Sequence, residues 1–298
     1  DELGRRHALV GLRLAGEQCL VGGLVAADRL EGQLVEERLA RLPVGGVAHQ
    51  LRALARPLRL AGSLPLPYPR RDAIATIATY AGEALRPFAF DGIRLVPPTR
   101  TFSGELDLDV GGRQIRLIEV GPAHTPGDLV VWVPDAKVAI TADILFIGVT
   151  PIMWAGPVEG WIAALELLLE LGATRFVPGH GPICGPDDVQ RLIDYWRWLD
   201  PTARTHLEGG RSVAETARAL VLGDEIAERG FAGWLGPERA LISVRTIDAH
   251  RRGAAKLPGP RELIDAFFRM ALLARDLQAR QGAGTAETSP SARQAETA

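Results

Sequence analysis

The sequence predicts an α+β fold, in which a series of β-hairpins precedes a series of helices. Apolar runs separated by turn residues fill residues 104–143, which is typical of paired strands. After residue 160, apolar residues recur at helical spacing instead. The chain of 298 residues is 47% hydrophobic and 23% charged, so a sizeable core can form around these elements.

The strands are predicted from alternation and from the turns between them. Residues 104–120, GELDLDVGGRQIRLIEV, predict a hairpin closed by two glycines, which tolerate positive φ. Residues 128–143, DLVVWVPDAKVAITAD, predict a second hairpin turned at PDAK. Its continuous apolar runs are typical of strands covered on both faces. Residues 7–23 and 92–102 are strand-like, and residues 174–180, TRFVPGH, predict a short strand that ends in a loop.

The helices are predicted from spacing and from residues at their ends. Residues 24–42 and 71–85 have helical patterns, and an amphipathic helix that contains Trp161 is expected to end at Gly172. Residues 185–200 predict a helix with proline and two aspartates in its first turn, ended by Pro201.

The predicted organisation is a main domain over residues 1–200 and a helical extension over residues 201–280, with a disordered tail over residues 281–298. The tail contains no aromatic residue and no Val, Ile, Leu or Met, so it has little surface to bury.

The composition excludes several classes of partner. The formal net charge of -2 provides no general attraction to nucleic acid or to anionic lipid. No apolar run reaches membrane-spanning length, and no secretory signal is visible. Two cysteines do not make a disulfide framework, so we expect reduced thiols in the cytosol. A small-molecule substrate is therefore expected, while the oligomeric state is left open.

Two histidines and an aspartate stand after apolar runs, where strand ends could bring them together. They are His124, Asp143 and His180, in a chain that has only six histidines. Two imidazoles and a carboxylate suit zinc or another borderline transition metal. Taken singly, each residue has an ordinary interpretation as a loop histidine or a turn-forming aspartate. Their joint occurrence in this order favours a metal site.

The segments around these residues resemble the metallo-β-lactamase-fold hydrolases. The resemblance rests on GPAHTPGDLVVWVPDAKVAITADILF and on TPIMWAGPVEGWIAALELLLELGATRFVPGHGP, and it covers roughly residues 88–200. It implies a four-layer αββα β-sandwich with metals at one edge. His124 would correspond to the third metal histidine of the family, Asp143 to its bridging aspartate and His180 to its last metal histidine. Residues 203–275 resemble the helical extension of some bacterial members.

The upstream H-x-H-x-D-H signature of this family does not occur in the chain. When the strand-like segment over residues 7–23 is aligned with the family, the last histidine of the signature corresponds to His7. The other signature positions then fall on Glu2, Gly4 and Arg6. Residues 1–6 are interpreted either as degenerate or as non-native sequence from a miscalled gene start. The family binds one or two zinc ions. With His7, Asp143 and His180 remaining, we expect at most one tightly held ion, zinc or iron.

Several further residues have two open interpretations. Trp154 and Met153 are candidates to line a substrate pocket, with core packing as the alternative. Cys184 could approach the site or be a buried structural thiol. Asp128 could orient His124 or close a turn.

The predicted function is hydrolysis of a small-molecule ester, thioester, amide or related substrate by metal-activated water. The alternative is an inactive or truncated member of the fold that serves as a binding module or has no function. The missing signature keeps both hypotheses open.

Overall fold

The computed structural model describes residues 11–13, 75–76, 79–80, 94–96 and 101–287, and its centre is a five-stranded sheet. The order in the sheet is β3-β4-β5-β6-β7; β6 and β7 run parallel, and the other neighbours are antiparallel. The strands are β1 (Gly11–Arg13), β2 (Arg94–Val96), β3 (Glu105–Val110), β4 (Arg113–Glu119), β5 (Leu129–Val133), β6 (Val138–Phe146) and β7 (Arg175–His180).

Both predicted hairpins are confirmed. Gly111 and Gly112 join β3 to β4 with φ values of 64° and 81°, the left-handed conformation for which glycine is suited. The second turn is a 3-10 turn, Pro134–Ala136, followed by Lys137 with a φ of 50°. Because both turns are local in sequence, the pattern of turn residues was enough to predict them.

The strands β1 and β2 form a separate antiparallel pair, with Gly11 opposite Val96. This pair confirms strand character for residues 11–13 and 94–96. The predicted helix over residues 24–42 lies outside the described residues, as does His7, so the expectations for them remain predictions.

The helices follow the sheet in the chain and pack against it. They are α1 (Val158–Glu170), α2 (Pro186–Glu208), α3 (Val213–Leu222), α4 (Glu225–Glu228), α5 (Ala240–Arg251) and α6 (Pro260–Glu287). Helices α1 and α2 pack on each other and on β6. Where they meet, the rings of Trp161 and Trp196 lie 4.6 Å apart between centroids, and both residues are fully buried. The α+β prediction is confirmed.

The prediction that Pro201 ends its helix is wrong. Helix α2 continues through Pro201 to Glu208 and therefore crosses the predicted boundary between residues 200 and 201. Proline removes one backbone hydrogen bond from a helix. Trp198 and Leu207, before and after the proline, are both buried, so tertiary packing outweighs that loss.

The predicted tail also begins too early. Helix α6 runs to Glu287, so residues 281–287 are helical, while residues 288–298 lie outside the described residues. Extending an existing helix adds one hydrogen bond per residue and needs no new nucleus, so it can continue past the last apolar residue. In the described part of the chain, no helix combines the length and apolar character needed to cross a membrane.

Candidate metal centre

The loop between β4 and β5 carries His124 and is closed by Asp128. The Asp128 carboxylate accepts hydrogen bonds from the backbone N–H of Thr125 at 2.9 Å and from the Thr125 hydroxyl at 2.5 Å. Burial raises the pKa of Asp128, and the bonds from Thr125 oppose this shift. Asp128 is therefore a turn former, which was one of its two predicted roles.

His124 is held by the backbone of a second loop. Its Nδ1 lies 2.5 Å from the carbonyl oxygen of Ile152, and only 8% of the residue is exposed. A carbonyl oxygen can only accept, so Nδ1 carries the proton. In the neutral ring Nε2 then has a free lone pair, which is the form that binds a metal. Trp161 packs edge-on against the ring at 5.7 Å between centroids.

Asp143 lies at an irregularity in β6. The register between β6 and β7 shifts on both sides of Ala142, whose φ of 46° is in the left-handed region. This conformation is uncommon for a residue with a side chain and is found where surrounding structure imposes it. The bulge redirects the strand at the residue before Asp143.

Gly179 leaves the space that the Asp143 carboxylate occupies. A Cβ on Gly179 would overlap Oδ1 of Asp143 and would lie 2.7 Å from the backbone carbon of Ala142. No real Cβ approaches backbone so closely. The glycine before His180 is therefore required by the carboxylate of the neighbouring strand.

His180 is the last residue of β7 and stacks on Phe146. The two ring centroids lie 4.5 Å apart and the rings are nearly parallel, at 19°. The carbonyl oxygen of His180 accepts a hydrogen bond from the N–H of Ile147 at 2.9 Å. Its pKa is lowered mainly by burial, and the charge of Arg239 contributes to the lowering, while Asp143 opposes it. The neutral ring, able to bind a metal, is thus favoured.

The three predicted residues converge, although 56 positions separate His124 from His180. Nε2 of His124 lies 3.6 Å from Oδ2 of Asp143, and Nε2 of His180 lies 3.5 Å from Oδ1. These separations exceed the usual length of an N–H···O hydrogen bond. Two donors bound to one tetrahedral zinc ion would be about 3.3 Å apart, given metal–ligand bonds of about 2 Å.

The chemistry of these donors fits a cation. In the neutral ring, Nε2 of His124 presents a lone pair to a carboxylate oxygen, and two electron-rich atoms in that arrangement repel each other unless a positive charge lies between them. Each histidine faces a different oxygen of Asp143, so the donors form two pairs that share the aspartate. Accordingly, the described residues contain no group of three or more His, Cys, Asp or Glu side chains arranged to hold one ion.

The pocket prediction for Met153 is not supported by the structure. Met153 has 0% of its surface exposed and belongs to the core, because helix α5 covers it. Trp154 is half-buried against the same core, and its backbone N–H donates to the carbonyl oxygen of His124 at 2.9 Å. Core packing, the alternative interpretation, therefore applies to Met153. Trp154 remains a candidate to line a substrate pocket beside His124.

Cys184 has a structural position. Its backbone exchanges two hydrogen bonds with Phe176, at 2.9 and 3.0 Å, and the residue is buried. Burial raises the pKa of its thiol to about 11, so the thiolate that could bind a metal is disfavoured.

Sequence reasoning missed the side chains that hold the second loop, residues 151–155, which orients His124. Ser243, Thr246 and His250, all on α5, make hydrogen bonds of 2.6 to 3.3 Å to the backbone of residues 151–155. They stand 90 to 95 positions from their partners. Their spacing by three or four residues places them on one face of a helix, but only the fold shows what that face contacts.

The five-stranded sheet, the His–Asp–His cluster at the end of its strands and the helices that follow define an α+β protein. Residues 46–180 match the model of the metallo-beta-lactamase superfamily, so the resemblance predicted from the sequence is confirmed over these residues. The metallo-β-lactamase fold predicted from the sequence, with helices following it, is thereby confirmed.

Two curated proteins are similar to part of the chain. A linear primary-alkylsulfatase from Pseudomonas sp. (strain ATCC 19151) is 30% identical over 118 residues, which is 37% of this chain and 22% of that protein. The 2,4-dinitroanisole O-demethylase subunit alpha from Nocardioides sp. (strain JS1661) is 34% identical over 123 residues, 39% of this chain and 35% of that protein. The match thus spans about a third or less of either relative.

Solved structures give more distant similarity. A metallo-beta-lactamase family protein from Thermus thermophilus has 18% identity and a TM-score of 0.41, with 75% of this chain and 65% of that chain covered. A sec-alkylsulfatase from Pseudomonas sp. has 15% identity and a TM-score of 0.41, with 50% and 26% covered.

Proposed function

We propose that the protein is a metal-dependent hydrolase of a small-molecule ester, thioester, amide or related substrate. The observation that supports this proposal is the convergence of His124, Asp143 and His180, in which Nε2 of each histidine faces one oxygen of the carboxylate. The metal is zinc or iron, since two imidazoles and one carboxylate suit either ion.

Three described residues and His7 would provide the atoms that bind the ion. His124 and His180 would donate through Nε2, and Asp143 would offer one oxygen to each side. The carbonyl oxygen of Ile152 keeps the His124 ring in the binding tautomer. His7, outside the described residues, is proposed as a third donor on the His180 side. A bound metal would supply a water of lowered pKa and would polarise the group under attack.

The substrate class can be identified with a panel of candidate substrates, which is drawn from the proposed chemistry and from the names of the relatives. Esters, thioesters and amides come from the proposed chemistry. The names of the two curated relatives add sulfate esters and aryl methyl ethers. The near-neutral net charge of -2 supports a small molecule over a nucleic acid.

Metal content and hydrolysis should be measured together in the full chain. After dialysis, zinc and iron are counted by elemental analysis in the parent, in Asp143→Asn and in the control Asp194→Asn, an exposed aspartate on α2. We expect one equivalent at most in the parent and in the control, and loss of metal and hydrolysis in Asp143→Asn. His180→Ala should lose the ion, and His124→Ala should weaken binding less, because His7 is assigned to the His180 side.

The outcomes separate the hypotheses. A parent chain that retains no metal and hydrolyses nothing on the panel would reject the proposal and favour an inactive member of the fold. Metal retention without hydrolysis would favour a binding module. Two equivalents would show that a donor outside the described residues completes the second pair.

A further inference from the structure

Arg239 is a half-buried cation beside the candidate centre. It ends the 3-10 turn Pro237–Arg239, and its Nε lies 2.8 Å from the position that a Cβ on Gly236 would take. Its neighbour Glu238 is occupied as the acceptor of a hydrogen bond from the hydroxyl of Tyr80, at 3.0 Å. No carboxylate within the described stretches forms an ion pair with Arg239.

The backbone just before this turn is hydrogen-bonded to the loop that follows β6, the strand that carries Asp143. The N–H of Leu235 donates to the carbonyl oxygen of Gly148, and the N–H of Thr150 donates to the carbonyl oxygen of Leu235, both at 2.9 Å. Next to Gly148, the N–H of Ile147 donates to the carbonyl oxygen of His180. Two hydrogen bonds therefore link Leu235 to the loop that follows β6, and a third links the start of that loop to His180.

Arg239 lies four positions after Leu235, on a turn that the hydrogen bonds of Leu235 hold next to the loop after β6. A guanidinium that is partly removed from water is in an unfavourable arrangement unless an anion pairs with it, and the described part of the chain provides no carboxylate partner for Arg239. An anionic ligand would supply the missing partner, and a guanidinium can bind a carboxylate, sulfate or phosphate through two parallel hydrogen bonds.

Two large apolar residues are exposed on the segments described above and after β7. Leu235 is 70% exposed, and Ile183, three positions after His180, is 65% exposed. Single exposed apolar residues are common on protein surfaces. These two stand out because one lies on the segment that ends in Arg239 and the other on the loop that leaves β7.

We infer that Arg239, Leu235 and Ile183 recognise the substrate, which is a small amphiphilic oxyanion with a charged end and an apolar part. This inference rests on the proposed function, because it places the recognition site beside the same centre. Arg239 would bind the charged end, and the two apolar side chains would contact the rest. None of the three residues is one of the metal donors.

The first test is equilibrium binding, which does not depend on hydrolysis. The full chain is dialysed against 4-phenylbutyrate and against the neutral 4-phenylbutan-1-ol, and bound ligand is counted. We expect the acid to bind at least about tenfold more tightly, because hydrogen bonds to charged groups contribute about 1.5–3 kcal/mol and 1.4 kcal/mol is tenfold. Arg239→Gln should remove this preference, whereas Arg239→Lys should keep part of it.

The control is Arg197→Gln, which removes an arginine that is paired with Glu166 at the surface of α2. It should keep the preference for the acid. Equal binding of acid and alcohol by the parent, no binding of either, or an undiminished preference in a folded Arg239→Gln chain would overturn the inference. Circular dichroism and thermal melting establish that each variant is folded.

A kinetic test distinguishes this inference from the proposed function. Mono-4-nitrophenyl glutarate and 4-nitrophenyl pentanoate have acyl chains of equal length, and only the first carries a charge, its free carboxylate. Arg239→Gln should lower kcat/KM about tenfold or more for the glutarate and leave the pentanoate within about twofold. If neither ester nor any panel substrate is hydrolysed, the proposed function fails, and the binding test alone still decides the role of Arg239.

Discussion

Two residues with no chemistry of their own set the position of the Asp143 carboxylate. Ala142 has a φ of 46° at the bulge in β6, and Gly179 leaves open the space that Oδ1 fills. Strained backbone of this kind is found where surrounding structure over-determines it. The sequence showed Asp143 as a candidate, but neither neighbour could be recognised, because each matters only through a contact across two strands.

Gly179→Ala should displace the carboxylate and weaken metal retention. The added methyl group would overlap Oδ1 of Asp143 and the backbone at Ala142, so we expect a loss of about 1–3 kcal/mol in the free energy of unfolding. Gly185→Ala is the matched control, since nothing lies within 4 Å of its Cβ position. Denaturant unfolding and elemental analysis of both variants measure the effect. Equal stability and metal content in the two would show that the strands adjust freely.

Cys184 should react slowly with alkylating reagents, and its rate should rise steeply with pH. Its pKa of about 11 leaves little reactive thiolate at pH 8, so the rate should rise about tenfold per pH unit up to pH 10. A Cys19→Ser chain isolates this thiol, and the same chain in denaturant is the control. A rate at pH 8 equal to that of the unfolded chain would contradict burial of the thiol.

The raised pKa of Cys184 also affects the free energy of unfolding. The contribution of the neutral thiol is fully present below pH 9 and is lost as pH rises through 11.

Among the elements, those determined by neighbouring residues were predictable and those determined by distant packing were not. The hairpin at Gly111 and Gly112 and the start of α2 at Pro186 follow local rules. Asp188 also accepts a hydrogen bond from the N–H of Gly185 at 3.1 Å, as expected of an acidic first turn. Pro201 misled the prediction, because the packing that carries α2 past it comes from other helices.

Pro201→Ala should stabilise α2. Pro201 is exposed, so the substitution restores a backbone N–H without losing buried surface, and we expect a gain of up to about 3 kcal/mol in the free energy of unfolding. Glu208→Ala, at the exposed end of the same helix, should change the free energy of unfolding by less than about 0.5 kcal/mol. A fall in melting temperature for Pro201→Ala would mean that proline stabilises the fold by restricting the unfolded chain.

At the scale of the whole molecule, the helical extension contributes to the candidate centre. Helix α2 runs without interruption from the sheet into the extension, and α5 binds the loop that orients His124. The resemblance predicted both parts but gave no reason to connect them. A division at residue 200 therefore describes the order of elements in the chain and not two independent units.

Removal of the extension should prevent folding. A chain that ends at Glu208 loses α5, and with it the cover of Met153 and the hydrogen bonds of Ser243, Thr246 and His250. We expect no cooperative thermal transition and no retained metal. A chain that ends at Glu287 is the control and should melt within about 2 °C of the parent, because residues 288–298 contain no large apolar residue. A cooperative transition in the shorter chain would show that the extension is dispensable.

The hydrogen bonds from α5 also order the events of synthesis. His124, Asp143 and His180 leave the ribosome before Ser243, Thr246 and His250, which are 90 to 95 positions beyond the loop residues they bind. Until His250 has emerged, the carbonyl of Ile152 is not fixed, and the His124 ring is free to take either tautomer. The nascent chain would therefore expose the three candidate metal ligands before it can orient them, and binding of an ion would be deferred until α5 has emerged from the ribosome.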